Sequence, residues 1–159
     1  MTPFKSVYDR FFDLIEDDWY IELTEEDTQK DVQNILKSAI PKFEFPRKSL
    51  EYTLEIDDIT CEDISYFKND LDDEEINILA TVMLLGWLQR QITSIENTRQ
   101  KYYGNTFKLT SQANHLSKLV SLKEDIKKDN KYLQRLYKRR VKNSDGRIVS
   151  NWSVFNTYN

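Results

Sequence analysis

The chain has 159 residues, of which 39% are hydrophobic and 31% charged, with a formal net charge of −4. This length and composition are typical of one globular domain and exclude a disordered chain. Three glycines and three prolines are too few for the many tight turns of a β-sandwich or barrel, so long helices are favoured. A single cysteine excludes an internal disulfide and a cysteine-based zinc site.

Neither a leader nor a membrane span is predicted. The first 14 residues alternate charged and apolar side chains within each turn, unlike the unbroken apolar centre of a signal peptide. The longest apolar region, 76–88, is shorter than a bilayer requires and contains Asn77 and Thr81. We therefore expect a protein of a reducing, aqueous compartment that binds no membrane.

The net charge hides a strong separation of charge along the chain. Residues 1–75 carry 8 Lys/Arg and 22 Asp/Glu, a difference of −14, whereas residues 76–159 carry 15 and 5, a difference of +10. The acidic and basic halves can attract each other, within one subunit or between neighbouring subunits. An interpretation in which both halves are simply solvated stays open.

Apolar residues spaced three and four apart predict two helices in the first quarter of the chain. Thr2 is expected to cap the first helix, with Pro3 at its first position and Ile15 near its end. Thr24, followed by three acidic residues, is expected to cap the second helix, which Pro41 ends. Each helix would turn one apolar stripe towards a core.

Two longer helices are predicted further along the chain. Asp72 and Glu75 have the spacing of a capping box, and the residues at 76–88 are apolar around most of a helical circumference, so this helix is predicted to be central. The last helix is predicted to begin at Ser111 and to end in basic residues that suit its dipole. Its apolar residues fall at heptad positions, namely Leu119, Leu122, Ile126, Leu133 and Leu136.

Extended structure is predicted at two places. Apolar and polar residues alternate over 50–56, which indicates a strand, and the acidic stretch 57–75 is expected to be a loop or a short surface helix. A turn signal at 143–146 is followed by a β-prone, aromatic segment with no partner strand nearby in the sequence. The fold class is therefore mainly α: a bundle of about four main helices over 1–142, with a small β element and an extended C-terminal tail over 143–159.

No catalytic or metal-binding motif is present. Cys61 and His115 are the only residues available for a Cys–His pair, and His115 is expected near the positive end of a helix, where protonation is disfavoured. An EF-hand that began at Asp70 would need Gly and Glu where Glu75 and Thr81 stand. We expect no enzymatic activity, no cofactor and no metal.

The basic helix allows a different function. Between Lys101 and Lys142 the chain holds twelve Lys/Arg and three acidic residues, and such a helix can neutralise phosphates without reading a base sequence. A DNA-binding regulatory protein that uses helix 111–142 is therefore the alternative. The acidic half of the chain and the absence of a helix-turn-helix pattern argue against it.

Three segments resemble the head–tail adaptors (neck connector or head-completion proteins) of tailed bacteriophages. They are SAIPKFEFPRKSL at 38–50, LDDEEINILATVMLLGWLQRQI at 71–92 and FKLTSQANHLSKLVSLKEDIKKDNKYLQRLYKRR at 107–140. The resemblance implies a structural virion protein that forms a dodecameric ring under the portal protein and extends the DNA channel towards the next neck or tail protein. It also implies that DNA only passes through without specific binding, and that the protein lies in the virion neck after assembly in the host cytoplasm.

Two sets of site residues follow from this resemblance. Members of the family commonly dock a C-terminal segment onto the portal, and an unpaired strand with aromatic anchors suits that role. Basic residues of the last helix would line the channel or contact the neighbouring subunit. The docking residues are Arg147, Ile148, Val149, Trp152, Val154 and Phe155, and the basic face comprises Lys127, Lys128, Lys131, Arg135, Lys138, Arg139 and Arg140.

Overall fold

The computed structural model of the chain describes residues 1–15, 24–57, 59, 62–101, 106–142 and 148–150. Over these residues the fold is mainly helical with small sheets, as the sequence predicted. The helices are α1 (Phe4–Phe12), α2 (Glu25–Ala39), α3 (Asp73–Lys101) and α4 (Thr106–Arg139), with a 3-10 turn at Ile40–Lys42. The strands are β1 (Thr2–Pro3), β2 (Tyr52–Thr53), β3 (Tyr66–Phe67), β4 (Arg140–Lys142) and β5 (Ile148–Ser150).

The central position of α3 is confirmed. It packs against α1, α2 and α4, and Leu79, Ala80 and Met83 are completely buried within it. Contacts between α3 and α4 run in opposite directions along the two helices, from Gln89 with Lys123 to Glu74 with Arg140. The two longest helices therefore form an antiparallel pair, which α1 and α2 cover on other sides of α3.

The helix α3 also meets a length and composition test for a membrane span. The stretch Asp73–Asn97 is long and apolar enough to cross a bilayer, so the expectation based on 76–88 alone underestimated it. The core helix of a helical bundle passes the same test. Because three other helices pack against α3, its apolar character is accounted for by the protein core.

Two of the predicted helix starts are confirmed by their hydrogen bonds. The Thr24 side chain accepts the Asp27 N–H at 3.2 Å, and three acidic residues follow it in the first turn of α2. At the start of α3, a Glu75 carboxylate oxygen accepts the Asp72 N–H at 2.9 Å, as a capping box requires. Pro41 lies in the 3-10 turn that follows α2, so that helix ends where the sequence predicted.

The other two predicted starts are wrong. Thr2 and Pro3 form β1, and the Thr2 hydroxyl accepts the Leu71 N–H at 2.7 Å, so it binds a neighbouring segment and does not cap α1. Nothing in residues 106–110 breaks a helix, and α4 accordingly begins at Thr106, before Ser111. His115 is therefore exposed in the third turn of α4 and does not lie at its positive end.

A three-stranded antiparallel sheet has the order β1-β3-β2. Tyr52 and Phe67 face each other in its ladder, and a bridge between Ile56 and Asp63 extends the β2–β3 hairpin. The strand predicted over 50–56 is thus shorter than expected, and the prediction of a loop or helix over 57–75 missed the central strand. Packing of Phe67 stabilises that strand, because its ring is buried and the centres of the Phe67 and Phe4 rings are 4.7 Å apart.

The face of α4 that packs on α3 is not the predicted heptad stripe. Leu119 and Ile126 do pack against the core, but Leu122 and Leu133 are 48% and 38% exposed. Among the described side chains of α4, the buried ones are instead Asn130, Gln134 and Tyr137. These polar groups can be buried because each finds a hydrogen-bond partner, which hydrophobic spacing does not reveal.

Asp63 joins the hairpin to the helices. Its Oδ2 accepts the Tyr8 hydroxyl of α1 at 2.9 Å and the Gln33 amide of α2 at 3.2 Å, and its Oδ1 accepts the Ser65 N–H at 3.0 Å. Burial first, and then the negative charge and hydrogen bond of Asp63, raise the pKa of Tyr8 above its ordinary range. The hairpin base is thereby fixed against α1 and α2.

Tyr8→Phe should lower the free energy of unfolding at pH 7 by about 1 kcal/mol, because one buried hydrogen bond is lost. A tyrosine in the unfolded chain ionises near pH 10, about its ordinary pKa, whereas Tyr8 stays neutral in the folded chain, so the wild-type protein should lose stability as the pH rises above that value. The loss should be shallower in Tyr8→Phe. Urea unfolding at neutral and alkaline pH measures both effects, and Tyr132→Phe is the control because Tyr132 is exposed. If the free energy of unfolding falls equally with pH in Tyr8→Phe and wild type, this account is contradicted.

Candidate interaction surfaces

A buried carboxylate connects the start of α3 to the end of α4, which lie at the same end of the antiparallel pair. Glu75 is completely buried in the first turn of α3 and accepts a hydrogen bond from the Tyr137 hydroxyl near the end of α4. Lys48 lies 4.0 Å from the same carboxylate and 3.4 Å from Asp72. A charged group in the core needs such partners, since its desolvation alone would be costly.

Arg47 completes this cluster, which we call the polar clamp (Arg47, Lys48, Glu75 and Tyr137). Its backbone N–H donates to the Tyr137 hydroxyl oxygen at 3.3 Å, and its guanidinium lies 3.8 Å from the centre of the Tyr137 ring. The guanidinium also donates to the carbonyl oxygens of Tyr137 and Arg140. Burial and the Glu75 hydrogen bond raise the pKa of Tyr137, so the hydroxyl keeps the proton that it donates.

The segment 43–48 also contacts α4 through a second set of hydrogen bonds. The Glu44 N–H donates to the Gln134 side-chain oxygen at 2.9 Å, and Gln134 donates to Asn130 at 2.6 Å. Asn130 in turn donates to the Ile78 carbonyl at 3.4 Å. Within the residues that the structure describes, every buried side-chain polar atom has a partner, so this network is a structural connection.

A basic groove lies beside this network, between α3, α4 and the end of α2. We call it the lysine groove: Lys42, Lys123, Lys127 and Lys131 surround a floor formed by Val82, Leu85 and Gly86. Its volume is about 360 Å³, and among the described residues Glu44 is the one acidic residue that lines it. Four ammonium groups around an apolar floor suit a partner that is both acidic and apolar.

The residues of the predicted basic face have different surroundings in the structure. Lys127 and Lys131 line the lysine groove, and Lys127 also pairs with Glu124 at 3.3 Å. Lys128 pairs with Asp125 at 3.4 Å, and Arg140 pairs with Glu74 at 2.8 Å. Lys138 lies 3.8 Å from the centre of the Phe45 ring, while Arg135 and Arg139 are exposed.

Sequence reasoning missed two of the four groove lysines. Lys123 was detectable, because it precedes Lys127 and Lys131 at spacings of four along the same side of a helix. Lys42 was not, since it comes from a distant segment that only the tertiary fold brings to α4.

The β2–β3 hairpin forms a second exposed surface, which we call the acidic hairpin (residues 51–57, 59 and 62–68). Residues 51–63 include six acidic residues and no Lys or Arg. Four of its large apolar side chains are nevertheless exposed: Leu54 (46%), Ile56 (65%), Ile59 (93%) and Ile64 (46%). Because several exposed large apolar side chains on one short element are uncommon on a folded domain, the hairpin is a candidate for protein contact.

The tail prediction rested on a strand without an internal partner, and that premise is wrong. Ile148–Ser150 pairs antiparallel with Arg140–Lys142, with Val141 opposite Val149. The two strands are close in the sequence, so this pairing is local. It joins the end of the predicted helical domain, 1–142, to the predicted tail, 143–159. Of the proposed docking residues, only Ile148 and Val149 lie in this hairpin; Arg147, Trp152, Val154 and Phe155 lie outside the described residues, as does the turn at 143–146.

Neither a metal site nor a relative identifies the protein. Over the described ranges, no three His, Cys, Asp or Glu side chains are grouped so as to hold a metal ion. Of the candidate pair, His115 is exposed on α4 and Cys61 lies outside those ranges. No protein-family model matches the chain, and no significant match is found among curated proteins or solved structures.

Tyr137→Phe should destabilise the protein by about 1–3 kcal/mol, because it leaves a buried carboxylate oxygen of Glu75 without its donor. Tyr132→Phe on the same helix is the matched control, since Tyr132 is 61% exposed, and it should change stability by less than about 0.5 kcal/mol. Chemical denaturation followed by circular dichroism measures both. Equal effects of the two substitutions would contradict the clamp.

Proposed function

We propose that this protein is a non-enzymatic structural subunit of a bacteriophage neck, a head–tail adaptor that forms a ring under the portal. The observation that carries the proposal is the exposure of four large apolar side chains, Leu54, Ile56, Ile59 and Ile64, on one hairpin. Burying such side chains stabilises an assembly by about 1.5–3 kcal/mol for each one fully covered. In a subunit that associates with other proteins, these side chains can therefore be buried at a contact and stabilise the assembly.

The resemblance to neck adaptors supports the same function. All but the first two residues of segment 71–92 lie in α3, and all but the last residue of segment 107–140 lie in α4. Segment 38–50 contains the stretch that connects these helices through the polar clamp. The three segments are thus in mutual contact. A resemblance carried by residues that form one packed unit is stronger support than one carried by scattered segments.

Three basic residues in the last part of α4 and the start of β4 already have partners within the subunit, which suits passing DNA. Lys128 and Arg140 are already paired with acidic groups, and Lys138 lies on an aromatic ring. A channel lined with many unpaired cations would hold DNA by counterion release and would slow its passage. We place the portal and the next neck or tail protein on the two sides of the ring, in the virion neck, with assembly in the host cytoplasm.

The lysine groove favours DNA binding as the second candidate function. Four lysines at one site can neutralise phosphates, and binding of that kind weakens steeply as salt increases. The apolar floor of Val82, Leu85 and Gly86 argues for a protein partner, since a phosphate backbone gains nothing from it. Salt-dependent gel shifts on duplex DNA distinguish the two functions.

A chain that ends at Asn143 tests the docking tail. It should remain folded, because the buried core cluster of the described residues includes none beyond Tyr137, and it should fail to bind a candidate portal. Circular dichroism measures folding, and cosedimentation with negative-stain electron microscopy measures portal binding.

The double substitution Trp152→Ala/Phe155→Ala in the full chain serves as the comparison, because it leaves the residues of β4 and β5 unchanged. It should also lose portal binding. Binding that survives both changes would remove the tail from the portal contact, and unfolding of the truncated chain would place the tail in the core of the subunit.

A further inference from the structure

We infer that the lysine groove of one copy receives the acidic hairpin of the next copy. This inference rests on the proposed ring assembly and specifies the contact that would build it. The two surfaces have no residue in common, so the contact joins different patches of neighbouring subunits. Contacts of this kind run head to tail and close into a ring when the rotation between copies allows it.

The two surfaces match in their apolar parts. Ile59 of the hairpin is 93% exposed, with Ile56 at 65% and Ile64 at 46%. The groove offers an apolar floor of Val82, Leu85 and Gly86, and its volume of about 360 Å³ is sufficient for one or two large aliphatic side chains.

The two surfaces also match in charge. The hairpin sequence 51–63 carries six acidic residues without a basic one, although Glu51 pairs with Lys68 at 3.2 Å and Asp63 binds Tyr8 and Gln33. Lys42, Lys123, Lys127 and Lys131 line the groove, where Lys127 also lies 3.3 Å from Glu124. Complementary charges around an apolar centre steer two surfaces together and fix their register. The acidic half of one copy and the basic half of the next would then attract each other across this contact.

Each surface is held in shape before contact. Asp63 attaches the hairpin base to α1 and α2 through Tyr8 and Gln33, and Gln134 and Asn130 fix the wall of the groove. Because the hairpin base and this wall are already in place, they lose little conformational entropy on binding, which favours a specific contact.

Two variants separate the two surfaces. Ile59→Asp alters the hairpin, and Lys127→Glu/Lys131→Glu alters the groove; all three side chains are exposed, so folding should be preserved. The controls make the same changes elsewhere on α4: Leu122→Asp, and Lys128→Glu/Arg135→Glu. Sedimentation velocity and light scattering over a range of concentrations measure the size of the assemblies.

The wild-type chain should self-associate in a concentration-dependent manner, and each surface variant should weaken this association at least about tenfold, a change of about 1.4 kcal/mol. The controls should behave as wild type. Raising the salt from about 0.1 M to about 0.5 M should weaken the wild-type assembly.

A mixture of the two surface variants should form dimers and nothing larger. The Ile59→Asp variant keeps an intact groove, and the Lys127→Glu/Lys131→Glu variant keeps an intact hairpin, so these two surfaces can still meet. The remaining groove and hairpin of such a dimer are both altered and both acidic, so they repel further copies.

Several results would overturn the inference: a wild-type chain that stays monomeric at every concentration, controls that disrupt assembly as strongly as the surface variants, or a variant mixture that stays monomeric. Duplex DNA binding that is lost in Lys127→Glu/Lys131→Glu while self-association is unchanged would assign the groove to nucleic acid. Portal binding is measured separately. If wild type binds the portal but the surface variants still assemble, only this inference fails. If the variants behave as expected but wild type never binds a portal, only the proposed neck function fails.

Discussion

The fold depends on one buried charge, the carboxylate of Glu75. This group caps the start of α3 through the Asp72 N–H, accepts the Tyr137 hydroxyl from the end of α4 and lies 4.0 Å from Lys48. An ionised group in a protein core is tolerated only when all its partners are in place, so the three segments that supply them form a single cooperative unit. Arg47 strengthens this unit through its contact with the Tyr137 ring.

Sequence patterns predicted what local interactions determine. Thr24 and the Asp72–Glu75 pair begin helices because their caps act within three residues, and α3 was identified as central because it is apolar on most sides. The burial of Glu75 was not predictable in this way. Its capping role would be the same at a surface. The partners that allow its burial, Lys48 and Tyr137, come from segments 27 and 62 positions away in the chain.

The failures of prediction have the same origin. The short strand β3 has no periodicity of its own, and it exists because Phe67 packs on Phe4 and because strands on both sides bond to it. The lysine groove needs Lys42 from the end of α2 beside Lys123 of α4, a juxtaposition made by tertiary packing. The tail strand pairs with Arg140–Lys142, a basic helix end whose charge gave no indication of β structure.

The clamp also determines what the subunit leaves exposed. Consecutive helical residues point about 100° apart, so a helix that turns Asn130, Gln134 and Tyr137 inward places Leu133 at the edge of that face, where it is 38% exposed. The hydrogen bonds from segment 43–48 select this orientation over the heptad stripe, and they leave Gln134 and Asn130 as a wall of the lysine groove. The interactions that stabilise the single subunit are therefore the ones that shape the surface it can offer to a second copy.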